Sequence, residues 1–424
     1  MHHDELILVS IDDHVVEPPD MFERHVPTRW RDQAPRLVTN AQGHQHWEFQ
    51  GASVGMMGLN AVMGWPNEEW GMDPSSLAEM RPGAYDVHER IRDMNVNGVL
   101  GTMCFPTFPG FSASHLTRGR NEVAHVMVQA YNDWHLDELA GAYPGRIHPI
   151  GLLPTWDPDL MVAEIRRLAA RGCHAVAMPE QPHIEGLPSY HDHTFWGPVF
   201  AALVEHHTVM CLHIGPGFHA LKVAPDAPVD NLIILTTQVS TLAAQDLLWG
   251  PAFREHPGLK VAFSEGSIGW IPFYLDRCDR HFTNQKWLRH DFGGKLPSEV
   301  WREHSLACYT TDPTALLARH RIGIDNIAWE CDYPHGDAYW PDAPEKVLAE
   351  LRHVGATDDE VRKITWQNTC RFFDWDPFTA IPKEQATVGA LRALATDVDT
   401  TPLPRREHAR RYALRHGAPP APDA

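Results

Sequence analysis

The sequence predicts an α/β fold, a distorted (β/α)₈ TIM barrel with a cap-like insertion after strand one and a C-terminal extension. Strand-like apolar runs alternate with helix-like amphipathic stretches, which is the pattern of repeated βα units. Three runs, at residues 7–14, 209–213 and 327–332, end in side chains that bind metals. Active sites of such barrels lie at the carboxyl ends of the strands, so these three ends are expected to meet at one centre.

The eight strands are expected in order along the chain, each as a short apolar or β-branched run. They are predicted near residues 7–14, 98–106, 147–154, 175–179, 209–213, 259–265, 307–311 and 327–332. Helices are predicted near 86–95, 119–140, 157–170 and 195–206. This order predicts that residues 1–375 form the barrel domain.

Two segments go beyond what a barrel needs. An insertion over about residues 18–85 is rich in Pro, Gly, Trp and Met. It is expected to cap the barrel mouth, and a subdomain packed around its own aromatic residues is an equal alternative. From 376 to 424 the chain is polar and Pro/Ala-rich, with an arginine-bearing helix near 404–416. This C-terminal arm is expected to lie against the barrel or a second subunit.

Composition excludes several classes of partner. The net charge of −19 over 424 residues argues against nucleic acid or an anionic membrane surface as partner. No run of about 18 uncharged apolar residues is present, and the N-terminus lacks signal-peptide character. A cytoplasmic location is therefore expected. The seven cysteines contain no Cys-x-x-Cys pair, so the sequence indicates neither a disulfide framework nor a thiolate zinc site.

Four side chains at strand ends are the candidate metal ligands: Asp12, His14, His213 and Asp332. Side chains alternate across a strand, so Asp12 and His14 share one face and Asp13 points to the other. Nitrogen and carboxylate oxygen donors suit a divalent transition metal that activates water. The sequence therefore predicts a metal-dependent enzyme acting on a small molecule.

Three motifs, over residues 11–19, 212–215 and 329–335, occur in this order in the chain. Together they resemble the amidohydrolase superfamily, and most nearly its second family, typified by aminocarboxymuconate-semialdehyde decarboxylase. The resemblance implies a distorted barrel with metal bound at its C-terminal face. It also implies that Asp332 binds the metal and takes a proton from bound water, and that the protein is a homodimer.

The chain departs from the family pattern at strand six. The decarboxylases carry a catalytic histidine there, whereas this sequence has Ser264, Glu265 and Gly266. Glu265 is expected to be a metal ligand or a general base, with one or two ions bound, because carboxylates bridge the ions of two-metal hydrolases. The additional carboxylate makes iron or manganese plausible beside zinc.

A substrate pocket is expected on the same face. His335, three residues after Asp332, is expected to act in catalysis or to contact substrate. Trp340, Phe218 and Trp65 are the candidate pocket residues, and they indicate a bulky, largely apolar substrate.

The leading functional hypothesis is a metal-dependent hydrolase that directs activated water at an amide, ester, lactone or thioester. The alternative is a non-oxidative decarboxylase of an aromatic or dienoic acid, in which another group replaces the strand-six histidine. A barrel that binds a small molecule without turnover is the third and least favoured hypothesis.

Overall fold

The computed structural model describes residues 1–55, 57–71, 74–215 and 223–417. The strands in these ranges are β1 (Leu8–Val15), β2 (Arg36–Thr39), β3 (Gln45–Phe49), β4 (Ala52–Val54), β5 (Val99–Pro106), β6 (Ile147–His148), β7 (Gly151–Leu152), β8 (Ala175–Met178), β9 (Val209–His213), β10 (Val261–Ser264), β11 (Ser305–Tyr309) and β12 (Ile327–Trp329).

Helices connect the strands and continue beyond the last of them. They are α1 (Met21–His25), α2 (Val87–Val96), α3 (Ser114–Thr117), α4 (Glu122–Trp134), α5 (Pro158–Ala169), α6 (His193–Glu205), α7 (Val229–Leu235), α8 (Gln238–Trp249), α9 (Ala252–Glu255), α10 (Trp270–Asn284), α11 (Pro297–His304), α12 (Pro313–Leu317), α13 (Arg319–Ile322), α14 (Ala343–His353), α15 (Asp358–Arg362), α16 (Asn368–Phe372), α17 (Val388–Arg392) and α18 (Arg405–His416).

The parallel strands form two sheets, in the orders β1-β5-β6 and β12-β11-β10-β9-β8-β7. β6 and β7 are two halves of the third barrel strand, interrupted at Pro149 and Ile150, and they join the two sheets. At the other seam the Asp332 N–H donates to the Asp12 carbonyl at 2.8 Å, and the His14 N–H donates to the Tyr333 carbonyl at 2.8 Å. These irregular seams distort the barrel, and the predicted α/β barrel class is confirmed.

Alternation along the strands separates the barrel interior from the layer beneath the helices. Small residues of alternate positions pack inside with one cluster, among them Ala175, Ala177, Cys211 and Ala262. Larger residues at the intervening positions pack against the helices, among them Val176, Met178, Met210 and Phe263. The candidate ligands occupy inward-facing positions at the carboxyl ends of the strands.

The insertion after β1 has its own structure. Its strands β2, β3 and β4 form an antiparallel sheet, and Trp47 stacks on Phe108 with ring centroids 4.6 Å apart. Met57, Leu77 and Met80 form a small separate core with Val16. Other residues of the insertion, such as Leu59, reach the cavities at the barrel mouth. The segment therefore has both a core of its own and a face toward the barrel opening.

The chain after residue 375 lies on the barrel. The Val388 N–H donates to the Leu6 carbonyl at 2.9 Å, and the Leu403 N–H donates to the Gly64 carbonyl at 2.8 Å. The helix expected near 404–416 is confirmed as α18. The division into a barrel domain and an arm stays a prediction about domain organisation.

Two further features concern the helices and the cysteines of the described residues. None of the described helices combines the length and apolar character that crossing a bilayer requires. All seven cysteines are free thiols.

Candidate metal centre

Four predicted ligands converge at the carboxyl face of the barrel. Nε2 of His14 lies 3.1 Å from Nε2 of His213. Nε2 of His213 is in turn 3.4 Å from an Asp12 oxygen and 3.0 Å from a Glu265 oxygen. One ligand atom from each of these four residues lies within 4.8 Å of all the others. Two nitrogen and two oxygen donors therefore face one small volume.

Local backbone structure aims these side chains. The register of β1 against β5 shifts between Ser10 and Asp13, in the part of the strand that carries Asp12. His213 is the last residue of β9, and its Nδ1 lies against the Ile214 carbonyl. A proton on that Nδ1 leaves the Nε2 lone pair directed at the centre, which is the arrangement usual for a metal-binding histidine.

Asp332 and His335 form the adjoining side of the site. The Asp332 carboxylate is 2.9 Å from His335 Nδ1 and 3.3 Å from His14 Nε2. The His335 ring stacks on the His14 ring with centroids 3.9 Å apart. Burial lowers the pKa of His335, but the carboxylates of Asp332, Glu265 and Asp337 together outweigh this effect and the net pKa is raised. Asp332 thus contacts both a candidate ligand and a histidine that holds its proton readily.

The residues present fit a divalent cation. Asp12 is fully buried, and within the described part of the chain both of its carboxylate oxygens lack a hydrogen-bond partner. Burial, reinforced by Glu330 and Glu265, raises the pKa of Asp12 well above its usual value, while burial lowers the pKa of His14. A cation would compensate the buried carboxylates and would require the neutral imidazoles. Mixed oxygen and nitrogen donors suit manganese, iron or zinc.

Behind the ligands, a buried ion pair supports the end of β1. Asp13 faces away from the centre and lies 3.5 Å from the Arg90 guanidinium. Arg90 also donates to the His14 carbonyl, and to the Gly83 carbonyl at 2.8 Å. Burial raises the pKa of Asp13 to about 6, although Arg90 opposes that rise. Arg90 thereby fixes the backbone that carries His14.

A cavity of about 560 Å³ opens beside the centre. Glu265 and His335 lie on its polar side. Its apolar wall is formed by Leu59, Phe111, Ile214, Ile233 and Ile234. Phe111 also packs on His213, with ring centroids 4.0 Å apart. The cavity can hold a planar, largely apolar molecule with one polar end toward the ligands.

The three predicted pocket residues lie elsewhere or outside the described chain. The buried Trp340 indole donates to the Asp93 carbonyl at 3.2 Å and packs under the Arg81 guanidinium. Trp65 donates to the Glu79 carbonyl at 2.8 Å. Neither tryptophan is among the described residues that line this cavity, which therefore gives their predicted role no support. Phe218 lies outside the described residues.

Two site residues were not among the predicted ones, Phe111 and Glu330. Glu330 is 2 % exposed and lines the cavity below Glu265, and burial raises its pKa to about 8. Alternation along the last barrel strand, β12, and the residues after it places Ala328, Glu330 and Asp332 on one face. The pattern that separates Asp12 from Asp13 therefore also identifies Glu330. Phe111 lies in the loop after β5, where the sequence has no periodicity that would identify it.

The barrel fold, with nitrogen and oxygen donors grouped at its carboxyl face, is typical of a class of metal-dependent enzymes. The family model described as amidohydrolase matches residues 41–375, most of the chain, and the protein belongs to the amidohydrolase family.

Solved structures share the fold at low sequence identity. An amidohydrolase from Mycobacterium avium subsp. paratuberculosis K-10 is 21% identical, with a TM-score of 0.68 over 87% of this chain and 99% of that one. The 5-carboxyvanillate decarboxylase of Sphingomonas paucimobilis is 21% identical, with a TM-score of 0.59 over 88% and 100%. A dihydroxybenzoic acid decarboxylase from Polaromonas sp. JS666, with manganese and 2-nitroresorcinol bound, is 16% identical, with a TM-score of 0.57 over 87% and 96%.

Proposed function

We propose that this protein is a metal-dependent, non-oxidative decarboxylase of a hydroxylated aromatic acid. The observation that carries the proposal is the contact of 2.9 Å between Asp332 and His335, a histidine that lines the cavity. It sets a proton donor beside the candidate ligands. The similar folds of decarboxylases that act on 5-carboxyvanillate and dihydroxybenzoate support this reaction over hydrolysis.

The cation would be held by Asp12, His14, His213 and Glu265. Asp332 lies next to these residues, 3.3 Å from Nε2 of His14. Manganese is the proposed metal, because carboxylate-rich sites suit it and a decarboxylase of similar fold binds it. The bound cation would supply a Lewis acid that holds the substrate carboxylate and an adjacent oxygen.

His335 is the proposed proton donor. Its Nδ1 faces Asp332, and its Nε2 lacks a hydrogen-bond partner among the described residues. In the proposed reaction the Nε2 proton moves to the ring carbon that bears the carboxylate. The bond from that carbon to the carboxylate then breaks, carbon dioxide leaves, and the bonding electron pair restores the aromatic ring. A proton from solvent reprotonates His335, so the sum is a carboxylate anion plus a proton giving an arene plus carbon dioxide.

The cavity supports an aromatic substrate. Ile214, Ile233 and Phe111 line the cavity together with His335 and Glu265. A benzene ring can lie against these apolar side chains with its carboxylate toward the ligands.

Hydrolysis is the second candidate, and Glu265 is the observation that favours it. Glu265 occupies the position where the decarboxylases that the sequence resembles carry a histidine, and it lies 3.0 Å from Nε2 of His213. A carboxylate at this place can accept a proton from an attacking water molecule. In that reaction the same carboxyl group would return the proton to the leaving group.

One experiment separates the two reactions. The manganese-loaded protein is incubated in D₂O with a panel of hydroxybenzoic acids labelled with ¹³C in the carboxyl group, and with aryl esters and lactones. We expect labelled carbon dioxide and one deuterium on the ring carbon that lost the carboxylate. Release of acid from the esters or lactones, with no carbon dioxide from any benzoate, would instead establish the hydrolase.

A further inference from the structure

Glu330 links the ends of three neighbouring strands inside the barrel. It follows β12, is 2 % exposed, and accepts hydrogen bonds from groups on or after the other two strands. The Glu265 backbone N–H, which follows β10, donates to Glu330 Oε2 at 3.0 Å. The Cys308 thiol of β11 donates to the same oxygen, and the Thr310 hydroxyl lies 3.5 Å from the other. Donors thus converge on both carboxylate oxygens.

The residue that Glu330 holds has an unusual backbone. Glu265 has a φ of 55°, in the left-handed region that disfavours residues with a Cβ. The next residue must be glycine, because a Cβ at Gly266 would lie 2.1 Å from the Ser240 hydroxyl oxygen. A non-glycine residue persists in this conformation only where its surroundings hold it. The bond from the Glu265 N–H to Glu330 is such a restraint.

The left-handed turn sets the direction of the Glu265 side chain. Its carboxylate oxygen lies 3.0 Å from Nε2 of His213, within the group of four candidate ligands. We propose that Glu330 is a positioning residue that holds the Glu265 backbone so that the Glu265 carboxylate reaches the cation. This inference rests on the proposed cation site and adds a residue that acts on it through another.

The chemistry of Glu330 suits this role. One oxygen of the Glu330 carboxyl group can accept the Glu265 N–H in either protonation state. Glutamine keeps the same length and one acceptor oxygen for the Glu265 N–H, and its amide can donate to Thr310. Methionine keeps the volume but leaves that N–H without an acceptor, and aspartate keeps the charge but is one methylene too short.

The test measures Mn²⁺ affinity by electron paramagnetic resonance in the full-length protein. Partners that orient a metal ligand typically contribute 10–100-fold in affinity, so we expect Glu330→Met and Glu330→Asp to bind Mn²⁺ roughly 10-fold or more weakly. Glu330→Gln should stay within about threefold of the wild type, because it keeps the acceptor. In a Glu265→Ala background, Glu330→Met should change the affinity by less than about twofold, because the residue through which it acts is gone.

A second measurement reads the restraint without metal. Hydrogen–deuterium exchange at the Glu265 amide should be fast in Glu330→Met and protected in Glu330→Gln. A matched control is Glu164→Met, since Glu164 is an equally buried carboxylate that bonds to Asn132 and Arg167 on the outer side of the barrel. It should lower stability and leave both readouts unchanged.

The possible results separate two failures. A wild-type protein that binds no Mn²⁺ refutes the proposed cation site, and the amide exchange then decides the role of Glu330 alone. Wild-type Mn²⁺ affinity in both Glu330→Met and Glu330→Asp would overturn the positioning role. The same conclusion follows if the Glu265 amide stays protected in both variants, or if the Glu265→Ala and Glu330→Met effects add fully.

Discussion

Oδ1 of Asp332 lies 2.9 Å from Nδ1 of His335 and 3.3 Å from Nε2 of His14. One carboxylate oxygen therefore connects the proposed proton donor with the proposed cation site. Because the donor and the ligands are different side chains, substitution of each should change a different measurable quantity.

Replacing His335 should impair chemistry and spare metal binding. A positioned acid or base contributes about 10²–10⁴ in rate, so His335→Gln should lower kcat for carbon dioxide release by roughly that factor. Mn²⁺ affinity should remain close to that of the wild type, because His335 is outside the group of four ligands. Unchanged kcat, or a loss of Mn²⁺ binding of the same size, would contradict the assignment of His335 as proton donor.

Replacing a proposed ligand should have the opposite result. His213→Ala should weaken Mn²⁺ binding by more than about 100-fold, beyond the range typical of partners that merely orient a ligand. His304→Ala is the matched control, because His304 is buried and bonds to the Leu259 carbonyl away from the site. Its Mn²⁺ affinity should equal that of the wild type. Equal losses in both variants would mean that the effect is structural.

Adding metal should raise stability. A ligand that binds only the folded state stabilises it by about 2.7 kcal/mol at a concentration of 100 times Kd. Thermal unfolding followed against Mn²⁺ concentration should show this rise. Asp12→Asn removes a buried carboxylate whose oxygens lack hydrogen-bond partners in the described chain, so it should lose the Mn²⁺ effect without lowering metal-free stability. A variant that Mn²⁺ stabilises as strongly as the wild type would speak against Asp12 as a ligand.

Two buried histidines near the interrupted third strand should make stability fall in acid. Burial lowers the pKa of His135 to about 3 and that of His148 to about 4. The Ile150 N–H donates to His135 Nε2 at 3.3 Å, which requires that nitrogen to be unprotonated. Below a pH of about 6.5 the unfolded chain takes up protons that the folded chain does not. The free energy of unfolding should therefore decrease as pH falls from about 6.5 toward 4, by up to about 1.4 kcal/mol per pH unit for each histidine.

Urea unfolding at pH 7.5, 6.5 and 5.5 measures this dependence. His135→Gln removes one titrating group and should flatten the decline, while at pH 7.5 both histidines are neutral in either state. A decline in the variant as steep as in the wild type would show that other groups cause it.

Local pattern was sufficient to predict the barrel and to select candidate ligands that lie together in the structure. The strands that carry His14 and His213 include short apolar runs, and parallel strand ends meet at one face, so their convergence follows from topology. The helix expected as one element over 119–140 is instead α4 followed by a π-helical segment, His135–Ala140. Such a change of helix type depends on packing and carries no clear mark in the sequence.

Long-range packing could not be predicted in the same way. Trp340 follows Asp332 closely in sequence, yet its indole lies with Arg81 and Asp93, and it is not among the described residues that line the cavity. Phe111 reaches His213 from a loop after another strand. Glu265 likewise has a left-handed backbone and donates its N–H to Glu330, far along the chain.

The choice between reactions shows a further limit. The residue type of Glu265 alone favours hydrolysis, whereas the proposed decarboxylation requires a proton donor near the substrate ring. The contacts of His335 with Asp332 and His14, from which we propose that donor, come from the fold and carry no mark in the sequence.

The most direct test is anomalous diffraction at the manganese edge from crystals of the manganese-loaded protein. The account predicts a strong peak bonded by Asp12, His14, His213 and Glu265 together. A strongest peak that lies elsewhere and is touched by none of these four side chains would contradict it.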